Sequence, residues 1–82
     1  MIFFSGKEKT ENLLDQAMGF MEKGQFKTAI PLFKKTLKQD PKNITALCNM
    51  GLALNQLKKY NDAITCFDKA TEINPKYVAA IN

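Results

Sequence analysis

The sequence repeats itself at one fixed distance. FKTAIPLFKKTLKQDP, from Phe26 to Pro41, returns as YNDAITCFDKATEINP, from Tyr60 to Pro75. Pro41 and Pro75 are 34 positions apart, and so are Ala29 and Ala63, Ile30 and Ile64, Phe33 and Phe67, Phe26 and Tyr60. The offset holds upstream, where Gly51 follows Ala17 and Leu54 follows Phe20 by the same 34. Amphipathic helices that merely look alike would share apolar classes. They would not share Ala, Phe and Pro at one offset. A constant period of about 20–50 residues marks identical supersecondary units stacked side by side.

The content of each unit follows from local signals. Ser5 and Glu8 have capping-box spacing, and a helix runs from there to about Lys23. Its apolar residues Leu13, Leu14, Ala17, Met18, Phe20 and Met21 recur at three- and four-residue steps. Gly24 ends it, because glycine accepts the left-handed conformation that follows a helix. A second helix spans about Lys27 to Gln39, with Ala29, Ile30, Phe33 and Leu37 inward. Asp40-Pro41 stops it, since the residue before proline leaves the helical region. Pro31 falls near the end of that helix's first turn, where backbone N–H groups largely lack partners. Asn43 caps a third helix, Ile44 to Leu57, and a fourth runs from about Asn61 to Asn74. No segment reads as a strand. The expected fold is all-α: antiparallel helix-turn-helix pairs stacked as a short solenoid, four helices plus a short C-terminal stub. Residues 1–9 form a lead-in, 10–43 the first unit, 44–77 the second and 78–82 the start of a truncated third.

Composition narrows the function classes. Eighty-two residues make one small domain, 45% hydrophobic and 24% charged, which is a globular balance. The net charge of +4 comes from twelve lysines, no arginine and eight acids. Lysines alternate with acids as on solvated helix faces, and without arginine's bidentate fork no nucleic-acid partner is expected. Cys48 and Cys66 stand alone, outside any CxxC, and read as small apolar residues in a reducing compartment. The N-terminal MIFF is too short for a signal-peptide core, and nothing approaches a membrane span, so a cytoplasmic location without membrane contact is expected. The chain has no histidine and a single serine, Ser5. Neither cysteine has a base in sight, no metal spacing occurs and no glycine-rich phosphate loop exists. No enzyme activity, cofactor or metal is expected.

The pattern resembles the tetratricopeptide repeat, over Thr10 to Asn82. The first unit supplies Leu13, Ala17, Phe20, Gly24, Phe26, Ala29, Phe33 and Pro41. The second supplies Leu47, Gly51, Leu54, Tyr60, Ala63, Phe67, Ala70 and Pro75. Helix packing asks for the same residues: Ala17 or Gly51 must face Ala29 or Ala63 for two axes to approach to about 8–10 Å. Departures are Leu13 and Leu47 for an early tryptophan, Gln16 for an apolar residue, Thr36 for a small one and Lys58 for the turn glycine.

The resemblance implies a protein–protein interaction scaffold whose first helices line a concave groove for a peptide or helix of a partner. Those helices carry Leu14, Met18, Met21, Cys48, Leu52 and Asn55 on the face turned away from their own partners, an apolar groove with a polar rim. A subclass of similar fold grips acidic chaperone C-termini with Lys and Asn. At the matching places this sequence has Leu14, Met18, Asn49 and Ala79, so only Asn49 agrees and the clamp is not expected. The alternative is a self-assembling structural module whose groove and open end bind copies of itself. The fourth helix has an apolar stripe wider than one partner helix covers, and Val78 to Ile81 supply only about one turn. Ile64, Thr71, Ile73, Val78 and Ile81 are the expected self-association face, making a homodimer or a helix-exchanged oligomer.

Overall fold

The computed structural model describes residues 10–76. Its helices are α1 Thr10–Glu22, α2 Phe26–Gln39, α3 Ile44–Gln56 and α4 Tyr60–Ile73, and no strand occurs among the described residues. Each helix packs on the next in sequence, α1 on α2, α2 on α3 and α3 on α4, while α1 touches α3 only lightly. The fold is the all-α helical repeat that the period predicts. Residues 1–9, with the Ser5–Glu8 cap, lie outside the described residues, as do 77–82.

The two intra-unit turns are the same structure made from different residues. After α1, the N–H of Gly24 donates to the Met21 carbonyl at 3.0 Å and that of Gln25 to Phe20 at 2.8 Å. After α3, the N–H of Lys58 donates to Asn55 at 3.0 Å and that of Lys59 to Leu54 at 2.8 Å. This is the Schellman arrangement, which satisfies the last helical carbonyls and needs a left-handed residue at its pivot. Gly24 sits at φ 74°, and Lys58 takes the same conformation at φ 65°. The pivot turns the chain sharply, so α2 and α4 start at Phe26 and Tyr60, one residue earlier than the sequence spacing suggests.

Between units the chain turns differently. Asp40 N–H donates to the Thr36 carbonyl at 2.8 Å, and Asn74 N–H to Ala70 at 2.9 Å. Asn43 then caps α3: its Oδ1 accepts from the Ala46 N–H at 2.9 Å. Pro31 stands one residue deeper than the sequence reading placed it. Helix α2 begins at Phe26, so Pro31 is its sixth residue and removes a regular bond to the Lys27 carbonyl. Both residues are exposed, so the cost falls on the solvent side of the helix.

Small residues let the helices meet. Ala17, Ala29, Phe33 and Ala46 are fully buried in one cluster that joins α1, α2 and α3. Leu54, Ala63 and Cys66 form the α3–α4 cluster, and Leu47, Cys48 and Ala70 another. At Gly51 a β-carbon would lie 2.8 Å from the Phe67 ring, so that ring rests on bare backbone. Thr36, read in the sequence as a departure from a small residue, is fully buried. Its hydroxyl donates to the Leu32 carbonyl at 3.0 Å, so no polar group is stranded.

Candidate interaction surfaces

Two surfaces leave apolar side chains open: that of α1 and α3, and the outer flank of α4. On the first, Leu14, Met18 and Met21 are half-buried against the α1–α2 cluster and keep part of their surface open. Leu52 is 39% exposed, and Asn55 is exposed one turn further along α3. Cys48 does not join them. It is 1% exposed and packs with Leu47, Ala70, Leu37 and Ile44, because its small thiol sits where α4 crosses close to α3. Of the expected groove residues, Leu14, Met18, Met21, Leu52 and Asn55 therefore keep open surface. Asn49, the lone match to the acidic-peptide clamp, donates its Nδ2 to the Thr45 carbonyl at 2.8 Å, a local bond within its own helix.

Both cysteines are free thiols. Burial pushes both up from the ordinary value of 9.0, and at Cys66 nearby Lys69 partly opposes that shift. Buried neutral thiols are poor nucleophiles. Among the described residues, no helix is long and apolar enough to cross a membrane.

The flank of α4 becomes visible when each residue is compared with its counterpart 34 positions earlier. Ile30 packs against the cluster of Leu54, Ala63 and Cys66, and Leu37 against that of Leu47, Cys48 and Ala70. Both clusters belong to the following unit. Among the described residues, no following unit packs on the counterparts on α4. Ile64 is 56% exposed, Thr71 is exposed, and Phe67 is half-buried where Phe33 is fully buried. Tyr60 is 54% exposed, whereas Phe26 is half-buried. The sequence reading did not place Tyr60 on this surface. Its signal was present, since Tyr60 lies one turn before Ile64.

Ile73 belongs elsewhere. Nine residues rotate a helix by about two and a half turns, so Ile73 lies opposite Ile64, while Thr71, seven residues on, lies beside it. The expected face of Ile64, Thr71 and Ile73 is thus two surfaces. Val78 and Ile81, assigned to the same face, and Ala79 of the clamp comparison lie outside the described residues.

Paired helices with a common 34-residue register and an open face across the first helix of each pair define a helical-repeat protein. The chain belongs to the tetratricopeptide repeat family. A family profile described as tetratricopeptide repeat matches residues 44–77, and one described as TPR repeat matches 20–57. The chain is 35% identical over 78 residues to the photosystem I assembly protein Ycf3 of Prochlorococcus marinus, covering 87% of this chain and 45% of that protein. It is 32% identical over 74 residues to human tetratricopeptide repeat protein 34, covering 90% of this chain and 13% of that one. Mouse tetratricopeptide repeat protein 12 is 35% identical over 78 residues, with 93% and 11% covered. The chain thus spans less than half the length of each of these relatives. Repeats of this family generally mediate protein–protein interaction and generally act as non-enzymatic scaffolds.

Proposed function

We propose that this chain is a binding module that holds a short amphipathic segment, a peptide or helix of a partner protein, against the α1–α3 face. The observation that carries this reading is Leu52, 39% exposed on α3 at the repeat position that half-buried Met18 holds on α1. An apolar strip with polar ends suits the i, i+3, i+4 anchors of an amphipathic helix. Two methionines make it adaptable, since the thioether side chain repacks around different shapes. Asn55 at one end can fix the ligand's register by hydrogen bonding. One relative is named as a photosystem I assembly protein. Transient holding of a partner segment is the role proposed for this chain. Neither catalysis nor a cofactor is part of the reading.

Titration of the chain with an amphipathic helical peptide, followed by NMR, tests it. Shifts should concentrate at Met18, Met21, Leu52 and Asn55. Leu52→Glu should weaken binding about tenfold or more, the loss expected when a charge enters a buried apolar contact, with melting unchanged. An acidic C-terminal peptide should bind poorly. Tight, salt-sensitive binding of that peptide would overturn the reading.

A further inference from the structure

On the α1–α3 face, polar residues bracket apolar ones in a fixed order. Asp15, Met18 and Glu22 follow one another along α1 at steps of three and four, so they lie in line. Asp15 and Glu22 are exposed and Met18 is half-buried, so a carboxylate stands on either side of the thioether. Seven residues of helix separate the two acids by about 10 Å along the axis. The same three positions of α3, 34 residues on, are Asn49, Leu52 and Gln56. Each acid is replaced by the amide of the same shape, and the apolar residue between them is again open, with Leu52 39% exposed. Asn49 donates its amide hydrogen to the Thr45 carbonyl at 2.8 Å, which keeps its oxygen for accepting. Both helices thus edge an apolar centre with acceptor oxygens, charged on α1 and neutral on α3.

Cations are kept off this face. Helices α1 and α3 contain no lysine, and the chain has no arginine. The four lysines of α2 and Lys69 of α4 belong to the second helix of each pair. Lys42 and Lys76 follow those second helices, while Lys23, Lys58 and Lys59 lie in the turns that end α1 and α3. Lys23 is the nearest in sequence, one residue after Glu22 and so about 100° round the axis from it. The other described acids, Asp40, Asp62, Asp68 and Glu72, lie on or just after the second helices. The net charge of +4 is therefore carried away from the α1–α3 face. At about 0.1 M salt, charges more than about 10 Å off are largely screened, so a ligand on this face meets Asp15 and Glu22 first.

We propose, resting on the function proposed for the α1–α3 face, that the partner segment held there is cationic as well as amphipathic. It is a short helix with Lys or Arg at i and i+7 and an apolar anchor between them, at i+3 or i+4. Its two cations lie on Asp15 and Glu22, and its anchor lies over Met18. An acidic segment would bring like charge to the face, and a neutral one would gain the apolar contact alone. Because both carboxylates are exposed, the pairs select the partner more than they tighten it.

Calorimetric titration of the full 82-residue chain with three helical peptides tests this. The peptides share their apolar anchors and differ only in the i and i+7 pair, which is Lys, Gln or Glu. The Lys peptide should bind tightest and the Glu peptide weakest. Its lead over the Gln peptide should be about three- to tenfold in dilute salt, the range of two exposed pairs. About 1 M salt should erase that lead. Asp15→Asn with Glu22→Gln gives α1 the polar pattern of α3. It should remove the lead and leave the affinity for the Gln peptide unchanged. Both residues are exposed, so the fold should survive. Asp68→Asn with Glu72→Gln, on α4, alters the net charge equally and should leave the lead intact. Equal binding of the Lys and Gln peptides overturns the proposal and leaves the amphipathic reading standing. So does a lead that the α1 variant keeps, or one that the α4 variant also removes. Tightest binding of the Glu peptide, or failure of all three to bind, overturns both.

Discussion

Single residues set the backbone's tightest points. Lys58 holds φ 65° in a turn whose twin uses Gly24 at φ 74°. A side chain in that region costs roughly 1 kcal/mol or more. Lys58→Gly should therefore raise the free energy of unfolding by up to about 1 kcal/mol, read from the midpoint of chemical denaturation. Gly24→Val should lower it by more, because a branched β-carbon tolerates the conformation worst. A clearly destabilised Lys58→Gly would mean that the pivot is not at residue 58. The cysteines give a pH signature. Their folded thiols are raised above the ordinary 9.0 by burial. Folding therefore favours the protonated form, and the stability this brings is complete below the unfolded value. It is lost as pH climbs through the folded one. Equilibrium unfolding from pH 7 to 10.5 should show stability falling above about pH 9, the range in which free thiols ionise. Cys48→Ala with Cys66→Ala should flatten part of that fall.

At the scale of elements, caps and close approaches decide how well each helix holds. Asn43 satisfies an α3 donor with its side chain, the Ala46 N–H. Asn43→Ala should cost about 1 kcal/mol, the usual value of a lost cap. Ala63 is 2% exposed, in contact with Leu54 and Cys66 where α3 and α4 meet. Ala63→Leu should overpack the site and cost about 1–3 kcal/mol. Unchanged thermal melting of that variant would place the helix crossing elsewhere. Helix identities and order were legible in the sequence, since apolar spacing, Gly24, Asn43 and the two prolines mark them. Helix starts were off by one because a Schellman turn admits the next helix one residue sooner than composition suggests. The depth of Pro31 was misjudged for the same reason.

At the scale of the molecule, one period yields two unlike faces. The α1–α3 face and the α4 flank lie on different helices and should act independently. Leu52→Glu should weaken peptide binding about tenfold or more and leave the solution mass unchanged. Ile64→Lys, on the other surface, should leave peptide binding unchanged. Calorimetric titration and sedimentation on the same two variants check this. Linked effects, with either variant changing both readouts, would mean that the surfaces overlap.

The sequence by itself determined the repeat, its 34-residue register and the helix pairs. Those properties rest on local propensity and periodic patterning, which each short segment carries in full. Tertiary structure alone decided which apolar residues remain reachable. Cys48 and Leu52 are both apolar, one turn apart on the same side of α3, yet the crossing of α4 covers the first and leaves the second open. Ile30 and Ile64 occupy the same place in the repeat, yet among the described residues only the first has a following unit's side chains packed against it. Burial is a property of neighbours, so identical letters at identical repeat positions take different roles once the helices have been stacked.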